Sequence, residues 1–203
     1  MFLAYTPVEI LPSAEATLLA TDMALASITG DDIFNFGEVL ATPILGCLEG
    51  TPNQWLRDLV RALHYGSIEQ FNAVVDKHRA EYFAQPALAN KHSAVQKKVV
   101  LLALVNIAFE RDSNSRQIKF TDIAARTFVP LEQVEWMLMS AMSANLIKGV
   151  IDQVDQTVNI TWVQPRMLDK QQLGVISEQL DGWARRVKDS LLTVEEQAAE
   201  LLC

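Results

Sequence analysis

Three histidines and two cysteines are the side chains in this sequence that most often bind metals or act as nucleophiles. His64, His78 and His92 are spaced 14 residues apart, and none has a second histidine or a cysteine three or four residues away, as a local metal site requires. Cys47 lies in an apolar stretch and Cys203 is terminal, so neither has the basic surroundings that hold a thiolate. The sequence therefore predicts no metal site and no catalytic nucleophile.

Paired acidic and hydroxyl side chains are also poor candidates for acid–base catalysis. Asp31-Asp32 and Thr121-Asp122 both precede apolar runs with helical spacing, where such residues cap helix N-termini. The sequence has no glycine-rich phosphate loop, no His-Glu-x-x-His and no Gly-x-Ser-x-Gly. We therefore expect no enzymatic activity, no catalytic residue and no cofactor.

Composition and charge narrow the class of protein further. The 203 residues are 50% apolar, with 25 acidic and 17 basic side chains and a net charge of −8. This content supports a hydrophobic core, and the two cysteines favour a reducing compartment. The negative charge disfavours a broad electrostatic contact with nucleic acid or anionic lipid. Charges interrupt every apolar stretch before membrane-spanning length, so we expect neither nucleic acid nor a membrane as a partner.

The elements that must position any functional residue are mainly helices in residues 1–112. Apolar residues recur at helical spacing in four successive segments, separated by short breaks at Gly30, Pro43 to Gly46 and Tyr65 to Ser67. A long helix is predicted at 91–109, and its run from Val99 to Val105 is apolar all round, which is typical of a buried segment. Short loops between helices favour antiparallel neighbours, so we predict a bundle of stacked helical hairpins.

Residues 113–166 have a different pattern. Residues 117–120 alternate as a short strand, two helices follow from Thr121 and Leu131, and residues 147–154 and 158–163 form two further strands. This order is that of a winged helix. Winged helices often read DNA through the second helix, but here that helix carries Glu132 and Glu135, with no basic residue until Lys148. Nucleic-acid binding is the weaker alternative, and docking on proteins is the stronger.

Residues 167–203 are predicted to form one long helix with an unusually regular apolar stripe. Its members are spaced three or four residues apart: Leu173, Ile176, Leu180, Trp183, Val187, Leu191, Val194, Ala198 and Leu201. From 169 to 202 the helix would be about 50 Å long at ~1.5 Å per residue. The stripe either folds back on the helical half of its own chain or joins a bundle with helices of other chains, and we favour the bundle.

Particular residues resemble the PCI domain, a module of helical repeats and a winged helix found in the proteasome lid, the signalosome and a translation initiation factor. The general resemblance lies in Ala62-Leu63-His64-Tyr65-Gly66-Ser67, the following Phe71 and the apolar helix at 98–104. Three segments narrow it to a proteasome lid subunit: residues 34–38, 146–155 and 161–166. Family members carry further repeats ahead of this region, so the resemblance implies that the chain is a C-terminal portion.

The resemblance implies a non-catalytic scaffold of the proteasome regulatory particle in ubiquitin-dependent protein degradation, located in the cytoplasm and nucleus. Its partners would be other lid subunits, contacted sideways through the winged helix and through a bundle of C-terminal helices. A scaffold in the signalosome or an initiation factor is the alternative. We predict that the interface residues are Lys148, Val150, Asp152, Val158, Ile160, Trp162, Leu173, Ile176, Leu180, Trp183, Val187, Leu191, Val194 and Leu201.

Overall fold

The computed structural model of the chain describes residues 12–111, 117–167 and 170–201. They are mainly helical with one small sheet, which confirms the predicted mainly-α class with a winged helix and a long C-terminal helix. The chain divides into two units, Met1–Met167 and Leu168–Cys203. The predicted division at 112 and at 166 stays a prediction.

Helices make up the first part of the first unit. They are α1 (Ser13–Thr29), α2 (Phe36–Ala41), a 3₁₀ helix (Pro43–Leu48), α3 (Gln54–Tyr65), α4 (Ile68–Lys77), α5 (Arg79–Ala84), α6 (Pro86–Asn90) and α7 (His92–Glu110). The winged helix follows as β1 (Gln117–Lys119), α8 (Phe120–Thr127), α9 (Leu131–Ser143), β2 (Ile147–Asp152) and β3 (Thr157–Val163). The second unit contains α10 (Lys170–Leu201).

Helix α7 belongs to two hydrophobic cores, which explains why its run from Val99 to Val105 is apolar all round. Val95, Val99 and Leu102 are buried among the preceding helices. Leu104 and Ile107, one turn further on, are buried in the core of the winged helix. Among the described residues this helix is long and apolar enough to cross a membrane, but nine of its residues are buried, and its apolar character serves these two cores.

The sheet is antiparallel with the strand order β1-β3-β2. Lys148 pairs with Trp162 but the next residue, Gly149, pairs with Ile160, so Thr161 is an extra residue in β3. Such a bulge shifts the alternation of side chains by one position. Ile160 therefore points into the core, and Trp162, two residues later, is 36% exposed.

The segment after β3 is tied to the helical part of the same unit. Arg166 donates from Nη1 to the carbonyl oxygen of His64 at 3.5 Å and from Nη2 to the side-chain oxygen of Asn106. Asn106 in turn donates to the carbonyl oxygen of Tyr65, and the Arg166 guanidinium lies 5.5 Å from the ring centre of Phe109. The end of α3, α7 and the exit from the wing thus share one polar network.

Lys98 is a buried lysine that joins α7 to the end of α1. Its Nζ donates hydrogen bonds to the carbonyl oxygens of Ile28, at 3.1 Å, and Gly30. It also lies 5.6 Å from the ring centres of both Phe34 and Phe36. A cation suits the carbonyl-rich end of a helix, but burial disfavours the charge and lowers the pKa of Lys98 from 10.5 to about 8.

We expect the chain to become more stable as the pH rises from about 8 towards 10, because of Lys98. The unfolded chain keeps this proton up to the ordinary pKa of 10.5, whereas the folded chain releases it near 8. The unfolded state binds more protons between these values, so the free energy of unfolding increases there and falls again as the pH drops through 8. Asp31 and Asp32 oppose the lowered pKa, and Lys91 adds to it.

The measurement is urea unfolding at about pH 8 and about pH 9.5. Tyr82 stays protonated in the folded chain at both pH values because burial raises its pKa to about 12, and its ordinary pKa of 10.0 in the unfolded chain opposes the gain only slightly at pH 9.5. The wild-type chain should gain on the order of 1–2 kcal/mol between the two pH values, and Lys98→Met should lose this gain. Lys97→Met removes an exposed lysine from the neighbouring position and serves as the control. An equal gain in Lys98→Met would assign the pH dependence to other groups.

Candidate protein-interaction surfaces

The outer face of the β2–β3 hairpin brings together three of the predicted interface residues. The Nζ of Lys148 lies 4.9 Å from the ring centre of Trp162, its partner across the strands. Val150 is 68% exposed on the same strand as Lys148. A cation–π pair beside an exposed aliphatic side chain forms a small amphipathic surface on a hairpin whose outer strand, β2, is an edge of the sheet.

Two predicted interface residues on the same hairpin point the other way. Val158 and Ile160 are fully buried and pack in the core of the winged helix with Leu138 and Ile147. The prediction that they contact a partner is therefore corrected: they hold the sheet on its own helices. The bulge at Thr161 separates them from Trp162, which the regular alternation had placed on their face.

Asp152 organises the tip of the wing. Its Oδ1 accepts hydrogen bonds from the backbone N–H groups of Val154 and Asp155, each at 3.0 Å, as an Asx turn does. Val154 is thereby left 93% exposed at the tip. Val154 was not among the predicted interface residues, although its place as an apolar residue within a run of Asp, Gln and Thr was the available signal.

Helix α10, in the second unit, carries the second predicted surface. Leu173, Leu180, Trp183, Val187, Leu191 and Val194 are exposed on it, and Ile176 is half-buried. The side chain of Leu201 lies outside the described ones. Leu192, exposed beside the stripe, was not predicted. The stripe is thus a long apolar surface on a helix, with the spacing that helix–helix packing requires.

The three histidines first considered for catalysis pack against other parts of the first unit. His78 stacks on Trp55 with ring centres 6.2 Å apart, and His92 Nδ1 lies 3.1 Å from the Tyr82 hydroxyl. His64 is buried, and Cys203 lies outside the described residues. In the described part of the chain no three acidic, histidine or cysteine side chains are grouped as metal ligands.

The acidic pairs do not cap helices as predicted. Asp31 follows α1 and pairs with the Nζ of Lys91 at 3.1 Å, while α2 begins only at Phe36. Asp122 lies inside the first turn of α8 and pairs with Arg111 at 3.4 Å. A residue type that suits an N-cap also suits a surface ion pair, and the sequence alone does not separate the two roles.

Helix α9, the position of a DNA-reading helix, exposes carboxylates and apolar groups. Glu132 is exposed in its first turn, and Glu135 accepts a hydrogen bond from the Gln153 side chain at 3.0 Å. Trp136 and Met139 are large exposed apolar residues on the same helix. These groups suit a protein surface better than a phosphate backbone. Trp136 was not among the predicted interface residues.

Comparisons with known proteins agree with this architecture. Residues 1–60 match the PSD13 N-terminal repeats, and residues 75–162 match the PCI domain. The chain is 39% identical, over 100% of its length and 52% of the relative's, to the 26S proteasome non-ATPase regulatory subunit 13 homolog A of Arabidopsis thaliana. It is 35% identical to the 26S proteasome regulatory subunit RPN9 of Saccharomyces cerevisiae, over 86% of this chain and 44% of that protein.

A more distant relative is the eukaryotic translation initiation factor 3 subunit M of Aspergillus oryzae, which is 24% identical over 88% of this chain and 38% of its own length. The chain spans about half the length of the curated proteasome relatives that it matches. The domain match covers α5 to β3, the part that the structure folds into the last helices of the bundle and the winged helix. By this match residues 75–162 form a PCI domain, and the chain as a whole is similar to the 26S proteasome non-ATPase regulatory subunit 13 proteins.

Proposed function

We propose that this chain is a non-catalytic scaffold subunit of the 26S proteasome lid, where it joins neighbouring subunits in the regulatory particle. The observation that carries the proposal is the exposed apolar stripe of α10. Such a stripe is costly in water and is stable when it packs against other helices. Relatives over the whole chain are named as regulatory subunits of the 26S proteasome, a large assembly that would supply such helices.

The hairpin supplies the second proposed contact. Lys148, Val150 and Trp162 would lie against a neighbouring subunit, because they form the exposed face of a hairpin with a free edge strand. Asp152 would act indirectly, by fixing the turn. A scaffold role needs no catalytic group and no cofactor. Cytoplasm and nucleus, the compartments that hold proteasomes, are the proposed location.

The percentage of sequence identity to the relatives favours the proteasome over the alternative assemblies. Identity reaches 39% with a named proteasome subunit and 24% with the initiation factor subunit. Both classes share the winged-helix architecture, so the fold does not separate them. Identifying the chains that co-purify with the tagged protein separates the two, because lid subunits and initiation factor subunits form distinct sets.

The test replaces three residues of the stripe in the full-length protein, Leu180→Ser, Trp183→Ser and Val187→Ser. We expect the yield of co-purifying lid subunits to fall by about tenfold or more. The substitutions remove three large apolar side chains from the contact, and the lost burial weakens the free energy of binding by several kcal/mol. Quantitative mass spectrometry of the tagged protein and its partners gives the measurement.

The matched control lies on the opposite side of the same helix. Glu178→Ser, Arg185→Ser and Asp189→Ser change three exposed polar residues that are rotated by roughly half a turn from the stripe at ~100° per residue. The yield of lid subunits should stay within about twofold of wild type, because rim charges contribute little to affinity. Equal losses from both triple variants, or no loss from either, would contradict a stripe-mediated contact.

A further inference from the structure

A groove of about 460 Å³ lies inside the first unit, away from the hairpin surface. Three helices line it with residues spaced as on one helical face: Ile68, Phe71 and Asn72 of α4; Ser93, Gln96, Lys97 and Val100 of α7; Gln133, Trp136, Met137 and Ser140 of α9. The turn from Thr127 to Val129 closes one end. A cavity of this size with an apolar floor matches the dimensions of ligand- and peptide-binding sites.

Two exposed aromatic residues form the walls of the groove. Phe128 is 65% exposed and Trp136 is 61% exposed. Phe128 also has a φ of 55°, in the left-handed region, which is unfavourable for a bulky residue by roughly 1–2 kcal/mol. An aromatic residue that is both strained and exposed gains nothing from its own fold, and such residues cluster at binding sites.

The rim of the groove offers unused hydrogen-bonding groups. The side chains of Asn72, Gln96 and Gln133 are exposed, and none of them bonds to another group in the described part of the chain. Each amide presents donors and an acceptor. The residues that line the groove belong to three helices and a turn, so none of them offers a strand edge to pair with an extended peptide. An occupant must therefore satisfy its own backbone, as a helix does.

The charge of the groove selects among such helices. Lys97 is the one charged side chain among the described residues that line it. Its Nζ lies 5.7 Å from the ring centre of Trp136, and it has no salt bridge with a carboxylate in the described part of the chain. In a chain of net charge −8, this is a positive site next to an apolar surface, and its complement is a carboxylate beside apolar side chains.

We propose that this groove binds a short acidic amphipathic helix of a partner protein. Its aliphatic side chains lie between Phe128 and Trp136, and a glutamate or aspartate side chain pairs with Lys97. Amide groups on the rim bond to the polar flank of the helix. This surface is separate from the hairpin face, and it does not depend on the proposed scaffold role.

The probe is a fluorescein-labelled, stapled helical peptide of about 15 residues with leucines on one face and a glutamate beside them, compared with the same peptide carrying lysine. Fluorescence anisotropy with the intact chain should show the glutamate peptide binding about fivefold or more tightly than the lysine peptide. Lys97→Glu should reverse this order, and Trp136→Ser should weaken binding of the glutamate peptide by about tenfold.

The control variant is Met139→Ser, which removes an exposed apolar side chain from α9 that does not line the groove. It should leave the affinity within about twofold of wild type. Circular dichroism and thermal unfolding should be unchanged in all three variants, because the substituted side chains are exposed. Absence of binding by both peptides, equal affinity for both, or insensitivity to Trp136→Ser would overturn the proposal. Self-association of the chain that Trp136→Ser abolishes would instead assign the groove to a second copy.

Discussion

Replacing Gly66 with alanine is expected to destabilise the chain by about 3 kcal/mol. Gly66 ends α3 with a φ of 58°, in the left-handed region that an L side chain rarely adopts. A Cβ at this position would lie 2.7 Å from the backbone nitrogen of Ala103 and 2.7 Å from the carbonyl carbon of Leu102. Both atoms belong to α7, which is held in two cores and has no room to retreat.

A second glycine with a positive φ separates two contributions to the loss of stability in Gly66→Ala: the unfavourable backbone conformation and the clash of the added Cβ with α7. Gly50 has a φ of 73° but open space around its added Cβ, so Gly50→Ala should cost only about 1 kcal/mol. Urea unfolding of both variants gives the two free energies, and their difference of about 2 kcal/mol measures the contact with α7. Equal losses would show that Gly66 is needed for its φ alone.

The sequence was sufficient to predict the elements whose periodicity is long and regular. The helix predicted at 91–109 matches α7, His92–Glu110, and the apolar run from Val99 to Val105 within it reflects packing in two cores. The order of strand, helix, helix and hairpin predicted the winged helix. The apolar stripe of α10 was predicted because an apolar helix face shows the same spacing of three and four residues whether it is buried or exposed.

What the sequence did not predict depends on contacts between elements. Regular alternation along β3 would place Val158, Ile160 and Trp162 on one face, but one extra residue in β3 turns Trp162 outward. An isolated glycine in the facing strand, Gly149, was the only local sign of this bulge. A register shift is a property of two strands together, so the pattern of one strand cannot contain it.

The groove beside Trp136 was missed for a related reason. Val134 and Leu138, four residues apart on one face of α9, are both buried. Trp136 was given no role, because this residue lies off that face. A space between α4, α7 and α9 arises only from how three helices pack, and each helix alone shows a face of mixed polarity. An exposed tryptophan and a phenylalanine at a turn were the signals available.

Gly149→Ala is expected to be the second highly destabilising substitution, by about 3 kcal/mol. A Cβ on Gly149 would lie 2.3 Å from the carbonyl oxygen of Asn159 and 3.0 Å from the Cα of Ile160. These are backbone atoms of the partner strand, so relief requires the strands to separate at the bulge. Alanine restricts the unfolded chain and thereby favours folding by about 0.5–1 kcal/mol, which is too little to offset the clash.

The part of the chain whose amides exchange faster distinguishes this local clash from a general loss of stability. Hydrogen exchange should accelerate for amides of β2 and β3 in Gly149→Ala, while amides of α1 and α3 keep their wild-type rates, since local opening of the hairpin leaves the other core intact. Val150→Ala, on the same strand at a 68% exposed position, should cost less than about 0.5 kcal/mol. If Gly149→Ala were as mild as Val150→Ala, the strands would not approach as closely at the bulge as the structure places them, and the outward orientation of Trp162 beside Lys148 would need another cause.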